Sequence, residues 1–311
     1  AKFAEARQGN LPEARLSTKE WLNGLTKNKT VHALFRNLCA VLFSANPEEL
    51  PARAFLSFFG KNAATPIAFC PRGTIGIWND LAAAITSKGA EIRLETTATR
   101  IVIDQGAATG VVIEKDGAEV TVTARTVISD AGVTATIGLA GAAAMGADYV
   151  ALAAQTIRPT TMFNLYLASQ TSILETAALI TLGNTDSLCL VGDLTATCPE
   201  LAPPGWHLYV AYSVPKHGAG PLDTQAEIAH ALAELNREYP AFAGARLLAA
   251  TPMFGDWPAA RTCPGYSMAQ ETPIANLWNV GDSVIAYGDG GTQACAETGK
   301  RAAEMAVAWI G

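Results

Sequence analysis

Apolar positions recur at helical spacing through the first seventy residues and then give way to short alternating runs. Ser17-Thr18-Lys19-Glu20 has the Ser/Thr-x-x-Glu form of a helix capping box, and Trp21, Leu22 and Leu25 follow it. A second helix is expected over residues 31–43, stopping before Asn46-Pro47, and another near Glu48. The apolar faces of these segments are too wide for lone surface helices, so they pack a core of their own.

From Pro71 the texture changes. Pro71-Arg72-Gly73-Thr74-Ile75-Gly76 is a turn-rich lead into a helix over residues 77–88, with Gly89 as its left-handed stop. Short strands are expected over 90–94, 100–104, 110–115 and 119–123, with turns at Gln105-Gly106 and Asp116-Gly117. A buried strand over 126–129 ends at Asp130-Ala131-Gly132. The middle of the chain alternates strand and loop, with strands over 161–167, 187–191 and 207–214. An amphipathic helix covers 224–238, and a proline-rich stretch carries Pro252, Pro258, Pro264 and Pro273. A last short strand over 277–280 runs into Gly281-Asp282, a glycine-rich loop and a final helix over 292–309.

Composition narrows the function classes. Half of the 311 residues are hydrophobic and 16% are charged, the balance of a folded chain. A formal charge of −6 with no Lys/Arg cluster argues against a nucleic-acid partner. Val133 to Ala147 carries no charge but is shorter than the ~20 apolar residues of a spanning helix. The six cysteines, Cys39, Cys70, Cys189, Cys198, Cys263 and Cys295, form no Cys-x-x-Cys pair. They read as scattered reduced thiols rather than a metal site, which fits a reducing cytoplasm. A peripheral membrane contact stays open. His32, His207, His217 and His230 join no recognisable nucleophile motif, and Gly-x-Ser-x-Gly does not occur, so a hydrolase is not expected.

The chemistry signal is strongest near the C-terminus. A buried strand ending in Gly281-Asp282 is followed by Gly288, Gly290 and Gly291 and then by a helix. Such glycines let a ligand approach backbone, and a helix start offers free N–H groups to an oxygen. An Asp at the carboxyl end of a strand can accept hydrogen bonds from sugar-like hydroxyls. The same pattern also serves as plain punctuation. Met162, Phe163 and Tyr166 could wall an apolar tunnel or simply pack a core.

Taken in order, these segments resemble the phytoene desaturase/carotenoid oxidoreductase branch of the FAD-dependent amine-oxidase-like flavoproteins. Pro71-Arg72-Gly73-Thr74-Ile75-Gly76 stands at the family's Pro-x-Gly-Gly-x-Gly, and Thr97-Ala98-Thr99-Arg100-Ile101 at its Thr-x-Val-x-x-Ile-like strand beside the FAD adenine. Ser129-Asp130-Ala131 matches its Ser-x-Ala, and Pro199 to Gly205 carries its Pro-x-Leu-Ala-Pro-Pro-Gly turn in full. Gly281-Asp282, Gly291 and Thr298-Gly299-Lys300-Arg301-Ala302-Ala303 match the closing motif. The loop from Asp282 to Gly291 is about two residues longer than the family's, and Thr292-Gln293 replaces an apolar-Pro pair.

The implied fold is mixed α/β: the remainder of an FAD/NAD(P)-binding Rossmann-like domain plus a substrate domain with a mixed β-sheet and helices. The resemblance divides the chain into an incomplete FAD-binding domain (residues 71–141 and 272–311) and a substrate domain (residues 1–70 and 142–271). It implies FAD contacts at Ala98, Gly281, Asp282, Gly291, Thr292 and Gln293, an apolar and isoprenoid-like substrate, and no metal. It names no catalytic side chain. Asp256, Trp257 and Arg261 fall where the family lines its substrate cavity. The family's opening Gly-x-Gly-x-x-Gly is not found in the 311 residues. The expectation is therefore an excised domain, a truncated gene product or one half of a split protein, binding FAD weakly by itself. The rival expectation is a non-catalytic module that takes an apolar ligand or a partner. Self-association is expected through an uncovered face that includes Ala294, Ala302, Ala303 and Ala306. Asp282 is expected either to face a ligand with one oxygen free or to satisfy only local turn N–H groups.

Overall fold

The structure, a computed structural model, describes residues 2–61, 69–216, 222–253 and 262–311. His217, Asp256, Trp257, Pro258 and Arg261 lie outside the described residues.

Four helices fold the N-terminal part: α1 (Lys2–Arg7), α2 (Thr18–Asn23), α3 (Lys29–Phe43) and α4 (Ala52–Lys61). The Ser17/Glu20 capping box is present in both directions and starts α2. Phe43, Leu50, Phe55 and Leu56 form the buried centre of this part, with Trp21 and Phe35 packed against them. The helix expected near Glu48 is a single turn closed by Leu50 N–H to Asn46 O. Pro51 cannot donate a backbone hydrogen bond, so the helix begins only after it, at Ala52.

α5 (Thr74–Thr86) stops at Gly89 in the left-handed region, φ 87°. Residues 90–94 have no regular structure and join no ladder, so the expected strand is absent. Composition suited a strand there, but no neighbouring strand lies alongside to pair it among the described residues. β1 (Thr97–Asp104), β2 (Ala107–Lys115) and β3 (Ala118–Thr123) make an antiparallel meander. Gln105-Gly106 and Asp116-Gly117 all have positive φ, the backbone that a tight two-residue hairpin demands.

β4 (Val127–Ser129) leads into three short helices, α6 (Val133–Ala140), α7 (Ala142–Met145) and α8 (Ala147–Thr156). These were not expected from the sequence, because Gly141 and Gly146 break the period before it can register. Both glycines stand at positive φ and turn the chain between helices.

β5 (Met162–Ser169), β6 (Leu179–Thr181), β7 (Leu188–Asp193), β8 (His207–Ser213) and β9 (Arg246–Met253) form one sheet in the order β6-β7-β8-β5-β9. Every pairing in it is antiparallel, rather than the mixed sheet expected. β9 was hidden in the sequence by Pro252, which an edge strand tolerates. One face of the sheet, with Leu165, Leu167, Tyr209 and Ala211, packs on α9 (Thr224–Glu238) through Ala231 and Leu235. The opposite face meets α3 around Met162, Leu190 and Val214. Glu234 is buried and accepts the backbone N–H groups of Asp186, Ser187 and Leu188. Arg36, half-buried on α3, donates to Ser187 O and Val214 O. Its desolvation lowers its pKa, and four hydrogen bonds to neutral oxygens hold it in place.

β10 (Leu277–Asn279) runs parallel to β4, with Leu277 opposite Val127 and Asn279 opposite Ser129. Asn276 ties this pair to the meander: its Nδ2 donates to Ala108 O and Arg125 O, and its Oδ1 accepts from Ala108 N–H. α10 (Gly291–Ile310) closes the fold. Ala294, Ala302 and Ala306 are buried within the chain, the last two against Trp278 and Val280. Of the four alanines expected on an uncovered face, only Ala303 is exposed. Among the described residues no helix is long and apolar enough to cross a membrane.

Candidate functional site

The parallel pairing of β4 and β10 brings their carboxyl ends together, which is where open α/β sheets bind ligands. Asp130 follows β4, and Gly281-Asp282 follows β10 by one residue. Val280 N–H donates to Ser129 O at 2.9 Å and holds the two ends in register. Gly281 has φ 89°, and a Cβ there would run into Asp130 Oδ1. Glycine is therefore required twice over, by backbone conformation and by the carboxylate beside it. The Gly281 N–H donates to Thr298 Oγ1 at 2.8 Å, which joins the strand end to α10.

Asp282 is half-buried and fits neither simple expectation. Its Oδ2 accepts the backbone N–H of Thr262, twenty residues away, at 2.8 Å. Its Oδ1 faces the Cys295 thiol at 3.9 Å. It is thus no local turn Asp, and it is engaged by the protein. Asp130 is exposed as a residue, yet partial burial and then the nearby Asp282 carboxylate raise its pKa above the ordinary value of 3.8.

The glycine loop before α10 docks on α4. A Cβ on Gly288, φ 80°, would collide with Ser57, and Gly290 lies against Phe58 and Phe43. α10 then begins at Gly291, φ 72°, with no side chain capping it and open space where a Cβ would stand. Gly291, Thr292 and Gln293 are all exposed. The first-turn N–H groups lack intrahelical acceptors by geometry and point to where an oxygen-rich ligand could sit. Gly281 and Asp282 thus meet α10 at Thr298 and Cys295, within the helix that Gly291, Thr292 and Gln293 open. Ala98 belongs to a different sheet. It is exposed on β1, an edge strand, beside a register shift, and no contact among the described residues joins it to the others. Ser57 and Phe58, which seat the loop, carry no local signal in the sequence.

Other chemistry is less supported. Burial pushes the Cys189 and Cys263 thiols up to about 12 and the Cys39 thiol higher still, so none is a thiolate nucleophile. Asp186, His230 and Glu234 bring potential metal-ligand atoms within 4.8 Å of one another. Both Glu234 oxygens are already engaged by backbone N–H groups, and Lys216 holds Asp186, so the cluster is a loop anchor. A cleft of about 530 Å³ runs along the second half of α10, from Met268 to Arg301 and Ala308, away from the helix start.

Residues 2–307 match the model of the family described as flavin containing amine oxidoreductase. No curated protein matches the sequence. Among solved structures, an oxidoreductase from Methanosarcina mazei is similar at 22% identity and a TM-score of 0.84, covering 97% of this chain and 70% of its own. A protein from Pyrococcus furiosus is similar at 18% identity and a TM-score of 0.76, covering 98% and 70%. A cyclohexylamine oxidase from Brevibacterium oxydans is similar at 13% identity and a TM-score of 0.66, covering 96% and 68%. At these identities the likeness is one of fold.

Proposed function

The chain belongs to the flavin-containing amine oxidoreductase family, and we propose that it serves an FAD-dependent oxidoreductase of the phytoene desaturase-like type, acting on an apolar, isoprenoid-like substrate. The observation that carries this reading is Asp282, just beyond the carboxyl ends of two parallel strands and against Cys295 of α10, a helix whose start has no side-chain cap. The donor set fits the group: a carboxylate for ribityl-type hydroxyls, helix N–H groups for phosphate or carbonyl oxygens, and glycines at the approach.

The flavin, when bound, supplies the hydride chemistry, and the protein supplies binding and orientation. Asp282 would hold hydroxyls of the cofactor chain, and Thr262 would hold Asp282. Gly291, Thr292 and Gln293 would lie along the cofactor through backbone N–H groups. On the sheet face where Met162 packs against α3, Asn164 and Tyr166 would offer the wall that excludes water from a substrate. Asn164 is buried there with Oδ1 unpartnered among the described residues, a point for one polar contact.

Titration of the 311-residue chain with FAD, followed by flavin fluorescence, tests this reading. Saturable quenching that Asp282→Ala removes is expected. The affinity should fall orders of magnitude short of a retained cofactor, because each charge-assisted backbone bond of a pyrophosphate turn contributes about 1.5–3 kcal/mol and the sequence holds no Gly-x-Gly-x-x-Gly. A chain that purifies with stoichiometric FAD would contradict the weak-binding part. Equal quenching with and without Asp282 would remove the cofactor assignment and leave the non-catalytic ligand module as the better reading.

A further inference from the structure

Three arginines from separate segments converge on two tyrosines beside the glycine loop. The guanidinium carbon of Arg15 lies 5.3 Å from the centre of the Tyr266 ring, and that of Arg158 lies 5.7 Å from the same centre. Arg53, on α4, stands 6.0 Å from the centre of the Tyr287 ring. These are cation–π distances. Burial raises the Tyr287 phenol pKa, and the charges of Arg53 and then Arg15 act against that rise.

The platform under these arginines is built by close backbone approach. Gly265, φ 92°, precedes Tyr266, and a Cβ there would come within 3.3 Å of both Pro51 Cγ and Tyr287 Cε2. Gly288, immediately after Tyr287, abuts Ser57. Two glycines thus let the Tyr266 turn and the Tyr287 loop seat together on α4.

Among the described residues, what is missing is a counter-charge. Arg72, Arg93 and Arg237 each meet a carboxylate. None of Arg15, Arg53 and Arg158 has a carboxylate partner among the described residues, and a chain of net charge −6 gathers these three cations at one spot. A guanidinium laid on an aromatic face can turn its N–H edge outward, in the geometry that takes a carboxylate or phosphate; Arg158 gives one N–H to Ile157 O at 3.1 Å and keeps the others.

We propose that Arg15, Arg53 and Arg158, on the Tyr266/Tyr287 platform, bind the carboxylate or phosphate end of an elongated apolar small molecule. Resting on the oxidoreductase reading above, that molecule is the substrate. Tyr287 stands three residues before Gly290, so an acid held here would extend its apolar body from a fixed point beside the loop assigned to the cofactor.

Calorimetric titration of the intact 311-residue chain with laurate, dodecyl phosphate and dodecylamine, each below its micelle concentration, tests the proposal. Laurate and dodecyl phosphate should bind and dodecylamine should not. Arg15→Gln and Arg158→Gln should each weaken laurate about tenfold, the worth of one charge-assisted bond. The three arginines are exposed, and circular dichroism is the check that the variants fold. Laurate binding unchanged in the double variant, or dodecylamine binding as tightly as laurate, overturns the proposal. So does arginine-dependent binding to phosphatidylglycerol vesicles without laurate binding, which assigns the cluster to a membrane surface. FAD titration of the same variants separates the two readings. Loss of laurate with an intact flavin response condemns neither, whereas laurate binding in a chain with no flavin response leaves the anion site standing alone.

Discussion

Asp282 accepts the backbone N–H of Thr262 at 2.8 Å, and this bond pins the proline-rich stretch to the end of β10. The carboxylate assigned to cofactor binding is therefore also a structural acceptor. The two roles separate because Asn keeps the acceptor and removes the charge.

Asp282→Asn should keep the Thr262 bond and melt close to the wild type, while weakening FAD about tenfold. Asp282→Ala should lose both, with a further stability loss of roughly 1.5–3 kcal/mol for a hydrogen bond to a charged group. Thermal denaturation and FAD titration of the pair decide this. A melting temperature that falls equally in both variants would mean that charge, not the acceptor, holds Thr262.

Asp130 gives a pH-dependent test. Burial, and then Asp282, raise its pKa in the folded protein. The folded state therefore binds its proton more tightly than the unfolded chain does, and ∂ΔG/∂pH is negative across the window between the two pKa values. Stability present below the ordinary value of 3.8 is lost as pH rises through the folded value. Asp130→Asn should raise the melting temperature at neutral pH, make little difference below pH ~3, and flatten the profile between. A variant less stable than wild type at pH 7 would show that the Asp130 carboxylate makes a favourable contact instead.

Local signals were legible and contacts across the chain were not. Gln105-Gly106, Asp116-Gly117 and Gly89 were readable because one residue's allowed φ decides each turn. Gly281-Asp282 and Gly291-Thr292-Gln293 were readable as a contiguous strand, loop and helix start. Residues 90–94 misled, because strand composition is only half of a strand and a pairing neighbour is the other half. The run of short helices from Val133 to Thr156 was invisible, because Gly141 and Gly146 reset the helical phase. The seat of the glycine loop on Ser57 and the meeting of Arg15 with Tyr266 span more than two hundred residues, where no periodicity reaches.

The last prediction concerns apolar surface. Ile75 and Trp78 on α5, together with Leu94 just beyond it, are exposed, Leu94 at 74%. A second set, Val307 at 70% with Trp309 and Ile310, ends α10, and Arg125 holds that end by donating to Ile310 O. Large apolar side chains at such exposure find a cover where they form a contiguous patch. We propose that in a solution of this chain the cover is a second copy. Light scattering should show mass rising with concentration, and the effect should persist in high salt because burial of apolar surface drives it. Leu94→Glu and Val307→Glu each place a charge on one of the two sets. Whichever variant restores the monomer identifies the covered face. If both do, the two sets form one contact. A monodisperse monomer at high protein concentration would show that the exposed side chains rest uncovered, and the association proposal would be withdrawn.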